Sequence, residues 1–205
     1  MYVLFDTECT QNLEKRDGSF EHVQNLICAQ QICSKCEAVD ELSVDCEQWG
    51  MRVQAFWQDP VGKSIDYLRQ SRPFAVKVYV ISHNSREYDA QFLLRSFLEL
   101  RWAPQLIMDG SKILSMVVEY LHFLDSLNYL PMSLKSMPKS FDLTCKNVYH
   151  SQFFNTAINL DYVGSLLEPK FYGADFMSGD ERTQFSAWYE GVMDKCFNNR
   201  EELLA

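Results

Sequence analysis

Residues Tyr2–Glu8 are strand formers, apolar on both alternating faces, and the pattern predicts a central β-strand. Cys9–His22 is polar and reads as loop. Val23–Ile32 reads as a second strand and Met51–Trp57 as a returning one, with a cysteine-bearing insertion at 33–50 between them. Asp59-Pro60 supplies an N-cap and a proline at the first helical position, so a helix is expected to about Gln70. Lys77–Ser82 is the next strand, and Tyr88–Arg101 carries the spacing of an amphipathic helix. Asp109-Gly110 separates Gln105–Met108 from Lys112–Val118 and signals a hairpin. Leu121–Asp125 is a further strand.

From Ser133 a short helix is expected, interrupted by Pro138, then loop from Lys146 to Asp180 and helix over Glu181–Phe197. Asn198–Ala205 has an Asn cap, acidic first-turn residues and then apolar ones, the way helices begin. A helix that short is not stable alone, so the protein is expected to continue past Ala205. Strands and helices in this order imply an α/β fold with some antiparallel pairing.

The chain has 205 residues, 47% hydrophobic and 14% aromatic, enough for one well-packed domain, with room for a small appendage. Its net charge of −9 argues against holding nucleic acid by bulk electrostatics, although clustered carboxylates can bind divalent cations that then meet phosphates. Seven cysteines, an odd number, fit thiols or metal ligands better than disulfides. The apolar run at Met1–Phe5 is too short for a secretory signal and lacks a basic flank. No stretch approaches a membrane span. The expectation is an intracellular protein, cytoplasmic or nuclear, with no membrane partner.

Asp6 and Glu8 stand two apart at the end of a strand and so project from one face. Two like charges there repel unless a cation lies between them, although a strand running out into solvent would tolerate them. Asp89 falls in register with Phe92, Leu93, Phe97 and Leu100 on the next helix and so points to its packed side. A carboxylate aimed at a core is costly unless paired, hydrogen-bonded or metal-bound. A helix-start Asp favoured by the macrodipole is the plainer alternative.

These residues spell a pattern. Asp6-Thr7-Glu8 resembles the first exonuclease motif (D-x-E) of family B DNA polymerases, and Asn84-Ser-Arg-Glu-Tyr88-Asp89 the second (N-x3-[FY]-D). Ser126-Leu127-Asn-Tyr-Leu130 matches the (S/T)-L-x2-h motif that holds single-stranded DNA in protein-primed members. Lys146-Asn-Val-Tyr149 fits their K-x2-h motif. Phrases such as Ile107–Lys112, Asp125–Pro131 and Lys170–Gly173 look like those of polymerases from Maverick (Polinton) mobile elements and their viral and organellar relatives.

The resemblance covers essentially the whole chain. It implies a ribonuclease H-like mixed sheet flanked by helices, with 1–205 forming a 3′–5′ exonuclease-like domain and the polymerase domain lying in a C-terminal part outside this chain. It further implies that Asp6, Glu8 and Asp89 hold two Mg²⁺ or Mn²⁺ ions, Asp6 touching both, Glu8 the one with the attacking water and Asp89 the other. Thr7, Asn84, Tyr88, Ser126, Leu127 and Lys146 would hold the DNA 3′ end. For Ser126 a turn hydroxyl, and for Lys146 a solvated lysine, are equally simple readings. Oxygen ligands suit such cations, and a paired-ion site suits phosphodiester hydrolysis.

The family's third motif, Y-x3-D on a helix, has no match in a suitable place: Tyr189 to Asp194 is one residue too long, and Tyr2 to Asp6 reuses the first motif. The motif is expected just past Ala205, so this piece is expected to hydrolyse DNA weakly or not at all. Glu87 is a second departure, adding negative charge where DNA should approach. The alternative function is a non-catalytic mobile-element remnant that binds single-stranded DNA or a protein partner.

Cys33-x2-Cys36-x9-Cys46-x2-Trp49 nearly fits a four-ligand zinc knuckle. In the mobile-element relatives a second CxxC is expected at this place, but Trp49 takes the last position and cannot ligate. Cys28 or His22 could stand in, though neither has the expected spacing. A reduced loop with incidental cysteines accounts for the same residues. A zinc-dependent interaction module is a third functional reading, which the incomplete ligand set disfavours.

Overall fold

The structure, a computed structural model, describes residues 1–37, 45–70, 76–143, 149, 151–155, 158–159 and 161–199. The chain forms two compact units, Met1–Cys9 with Gln24–Phe141, and Thr10–Val23 with Asp142–Ala205.

The chain builds a mixed sheet. Its strands are β1 (Tyr2–Glu14), β2 (Phe20–Ile32), β3 (Val53–Trp57), β4 (Val78–Ser82), β5 (Gln105–Asp109), β6 (Lys112–Val118) and β7 (Leu121–Asp125), in the order β3-β2-β1-β4-β7-β6-β5. β1 and β7 both run parallel to the central β4, with Val80 opposite Val3 on one side and Phe123 on the other. β3 pairs antiparallel with β2, and β5, β6 and β7 form an antiparallel meander. Gly110, at φ 59°, makes the tight turn between β5 and β6 that Asp109-Gly110 predicts.

Helices α1 (Pro60–Arg69) and α2 (Asp89–Glu99) flank the sheet. Asp59 caps α1, its carboxylate accepting from the Gly62 N–H at 3.2 Å. The buried stripe of α2 is Ala90, Leu93 and Phe97, and it packs with Ile65 and Leu68 of α1 against Val3, Val78, Val80 and Phe123. Phe97 is fully enclosed, stacked on Trp102 and tilted on Phe123. Leu100, expected on this stripe, is 49% exposed because α2 ends before it.

Strand β1 departs from its expected burial. It is central in the sheet, but only the side carrying Val3 and Phe5 meets the core, while Tyr2 and Leu4 are exposed. The expected loop at Cys9–His22 is instead strand. β1 and β2 run on as a ribbon to a turn at Lys15–Ser19, where Lys15 N–H donates to the Ser19 carbonyl and Asp17 accepts from Ser19. Phe20 and Val23 on this ribbon are exposed, so it lacks the half-buried alternation from which strands are read.

Pro138 does not interrupt a helix but stands at the start of α3 (Met137–Ser140), after a 3₁₀ turn at Leu134–Ser136.

The second unit holds α4 (Gly179–Val192), capped by Ser178, whose hydroxyl accepts from Glu181 N–H. Short 3₁₀ turns at Gln152–Asn155, Pro169–Tyr172 and Ala174–Phe176 lie within the stretch expected to be loop. Its core is aromatic, with Phe185 buried among Tyr149, Tyr172, Trp188 and Tyr189. α4 stops five residues earlier than expected, because β8 (Val163–Gly164) pairs with β9 (Phe197–Asn198). Asn198, expected as a helix cap, pairs in β9, Asn199 after it is helical, and the rest of the expected helix, from residue 200, lies outside the described residues.

Candidate functional site: an acidic cluster at the strand ends

Asp6 and Glu8 lie on the same side of β1 by the two-residue repeat of a strand. Asp89 opens α2, one residue after Tyr88, which links it to the 3₁₀ turn Ser85–Glu87 that leaves β4. The parallel pairing of β1 and β4 brings both chain segments to one end of the sheet.

The three carboxylates lie close enough to act on one another. Asp89 is half-buried, and its pKa is pushed up to about 7, first by burial and then by the negative charges of Asp6, Glu8 and Asp125. Asp6 keeps a solvent-accessible surface, yet surrounding protein desolvates it enough to raise its pKa, against the opposing pull of the Thr7 N–H and His83. Like charges so arranged cost free energy that a cation would offset. The set of oxygen donors fits Mg²⁺ or Mn²⁺. The spacing is loose: among the described residues, only Cys33, Cys36 and Cys46 place three ligand atoms all within 4.8 Å of one another.

Two cysteines that the sequence reading did not connect to the acids border this cluster. The Cys9 thiol is hydrogen-bonded to the Tyr88 hydroxyl, and burial together with Asp89, Glu8 and Asp6 pushes its pKa up to about 11. Burial and the bond to Cys9 also raise the Tyr88 phenol. Cys28, on β2, is pushed up to about 11 by burial and then by Asp6 and Glu8. Tyr88 also packs edge-on against Phe92, which fixes its ring beside the acids.

Asp125 is the larger omission. It ends β7 at 2% exposure, opposite Ser82 of β4. One carboxylate oxygen accepts the N–H of Asn84 at 2.9 Å and of Leu127 at 2.8 Å, and the other accepts the N–H of Arg86 at 2.9 Å. Asp125 thus ties the turn carrying Asn84 to the turn carrying Ser126 and Leu127. Asn84 itself sits at φ 62°, a left-handed conformation that Asn tolerates better than most residues. The signal was present, since Asp125 directly precedes the Ser-Leu pair, but a strand-ending Asp is common.

Ser126 lies 2.9 Å from His83 Nδ1. Leu127 lines an open groove of about 730 Å³ with Arg86, Ile107, Asn128, Tyr129 and Pro131, and Arg86 also donates to Asn128 at 3.2 Å. Lys146 lies outside the described residues. Glu87 is not an uncompensated charge: Lys112 Nζ approaches its carboxylate to 2.6 Å and holds its pKa below the usual range.

In the insertion, the three thiols converge without Cys28 or His22. Cys33 Sγ lies 3.7 Å from both Cys36 Sγ and Cys46 Sγ. Cys36 and Cys46 are buried.

Together these elements define an α/β protein with a mixed sheet flanked by helices, a small cysteine-bearing insertion, and acidic side chains gathered at the strand ends. No protein-family profile matches the chain. A probable DNA polymerase of Ascobolus immersus is 29% identical over 122 residues, covering 54% of this chain and 10% of that protein. Two structures of phi29 DNA polymerase match 95% of this chain and 32% of theirs at 12% identity. One, complexed with primer-template DNA and incoming nucleotides, gives a TM-score of 0.54, and an orthorhombic crystal form gives 0.52. The chain is thus similar in sequence to a probable DNA polymerase and shares its fold with part of phi29 DNA polymerase. It spans about a third of the length of the latter and a tenth of the former. Among the described residues no helix is long and apolar enough to cross a membrane.

Proposed function

We propose that this chain is the 3′–5′ exonuclease part of a family B DNA polymerase of the protein-primed, mobile-element type, acting on single-stranded DNA 3′ ends. The observation that carries this reading is that the charges of Asp6 and Glu8, from a distant segment, act with burial to raise the pKa of Asp89. Similarity to two DNA polymerases supports it.

In this reading Asp6, Glu8 and Asp89 would hold two divalent cations, which supply charge stabilisation to the phosphodiester and acidify water. Until charge-compensated, Asp89 is still partly protonated near neutral pH, because burial and its acidic neighbours disfavour the anion. Tyr88, held by Phe92 and Cys9, presents a ring edge and hydroxyl for a frayed nucleotide. Asn84 projects from a turn that Asp125 immobilises, so its amide is pre-positioned. The groove along Leu127 and the exposed Tyr129 offers apolar surface for unstacked bases beside Arg86 and Asp109, and Lys112 offsets the charge of Glu87 next to Arg86 in the chain.

With three acids where the family uses four, cation affinity and turnover are low in this piece. The test is incubation with 3′-labelled single-stranded DNA and Mn²⁺. Slow mononucleotide release that vanishes in Asp6→Ala agrees with the reading, and release unaffected by Asp6→Ala refutes it.

A further inference from the structure

We infer that Cys33, Cys36 and Cys46 form a three-thiolate site for a thiophilic cation of the Zn²⁺ kind, with no fourth ligand among the described residues and that position taken by an outside donor. The inference is independent of the nuclease reading.

Three observations carry it. First, the sulfur spacing is that of ligands sharing one ion. A tetrahedral site with metal–sulfur bonds of about 2.3 Å separates its sulfurs by roughly 3.8 Å. Cys33 stands 3.7 Å from each of the other two, and the thiols are free.

Second, the backbone is arranged for thiolate charge. The N–H of Cys33 points to Cys36 Sγ at 3.3 Å and that of Lys35 to Cys33 Sγ at 3.4 Å. Such N–H···S bonds stabilise sulfur as an anion, the form that ligates.

Third, the two cysteine turns share a form. Cys36 and Glu37 N–H groups both reach the Cys33 carbonyl, and Trp49 and Gly50 N–H groups both reach the Cys46 carbonyl. Gly50, at φ 70°, completes the second turn, and its carbonyl accepts from Cys46 N–H at 2.8 Å. The second turn therefore keeps the shape of the first while carrying Trp49 where the first carries its second thiol.

Indole has a donor N–H and no lone pair for a metal, so Trp49 cannot close the site. Cys36 and Cys46 are the buried apolar residues of this insertion among those described, which leaves little apolar core to hold the two turns together. An ion bridging them would supply that cross-link. Three thiolates leave a cation of charge two with a coordination vacancy suited to water, imidazole or an outside thiol.

The test uses the full reduced chain, stripped of metal and titrated with Co²⁺ as a spectroscopic probe. The expected result is about one Co²⁺ per chain, displaced by Zn²⁺, with the intense charge-transfer absorption of thiolate ligation. That absorption disappears in Cys46→Ser and is unchanged in Asp6→Ala/Glu8→Ala, which separates this site from the acidic cluster. Trp49→Cys raises affinity roughly tenfold or more, a gain that does not depend on a loss-of-ligand variant folding. Imidazole shifts the visible bands of the original chain and leaves those of Trp49→Cys in place. No charge-transfer absorption, or undiminished absorption in Cys46→Ser, overturns the site. An unchanged affinity in Trp49→Cys, or indifference of the original chain to imidazole, overturns the open fourth position.

Discussion

Asp125 holds the Asn84 backbone in place: its carboxylate accepts the Asn84 N–H at 2.9 Å across the ends of two neighbouring strands. The same side chain accepts from Arg86 and Leu127, so one buried carboxylate organises both turns that border the candidate site.

Replacing it is therefore expected to cost more than an ordinary surface change. Asp125→Ala leaves three donors without their acceptor and should lower stability by about 2–4 kcal/mol. Asp125→Asn keeps one acceptor oxygen and should cost roughly half as much. Urea denaturation of the two variants checks the ranking, and equal stability of all three proteins contradicts the assigned role.

Asp89 makes a prediction about pH. Its folded pKa, about 7, lies above the ordinary carboxylate value of 3.8. Between these values the unfolded chain has lost the proton and the folded chain retains it. Raising the pH across that window therefore removes stability, and the contribution is complete below it and gone above it. Without divalent cations, the melting temperature should fall from about pH 4 to about pH 7 more steeply than in Asp89→Asn. Parallel pH profiles for the two proteins would show that Asp89 is not perturbed.

Glu87 and Lys112 form a half-exposed pair, so removing either should leave stability almost unchanged. DNA binding should respond more. Lys112→Ala exposes the Glu87 charge beside the groove and is expected to weaken single-stranded oligonucleotide binding severalfold at low salt. Lys112→Ala/Glu87→Gln should restore it. Fluorescence anisotropy at two salt concentrations reads both effects, and failure of the second substitution to rescue would remove Glu87 from the account.

Much of the fold was legible because its strands and helices bury one face. Val3, Val80, Leu93 and Phe97 are patterned as their burial requires, and Asp59-Pro60 and Asp109-Gly110 mark real boundaries. The β1–β2 ribbon was not legible, since Phe20 and Val23 are both exposed and, three apart, set no two-residue alternation. β9 was missed because two residues pairing with Val163–Gly164 leave no local signal. At the candidate site, spacing put Asp6 and Glu8 on one side of a strand and Asp89 at a helix start, and only the family resemblance joined the three. Asp125 was not legible, because its importance lies in three hydrogen bonds to turns rather than in any motif. The effect of Glu87 depended on Lys112, a neighbour that only the fold supplies.

The account rests on the acidic cluster binding divalent cations, and the most direct measurement is thermal unfolding with and without Mn²⁺. A cation that binds the folded state raises the midpoint in proportion to the logarithm of its concentration above Kd. Mn²⁺, a harder cation than thiolates prefer, reports the carboxylates rather than the cysteines. The account predicts a concentration-dependent rise for the original chain that is absent from Asp6→Ala/Glu8→Ala. Identical midpoints with and without Mn²⁺, or the same rise in the variant, would contradict it.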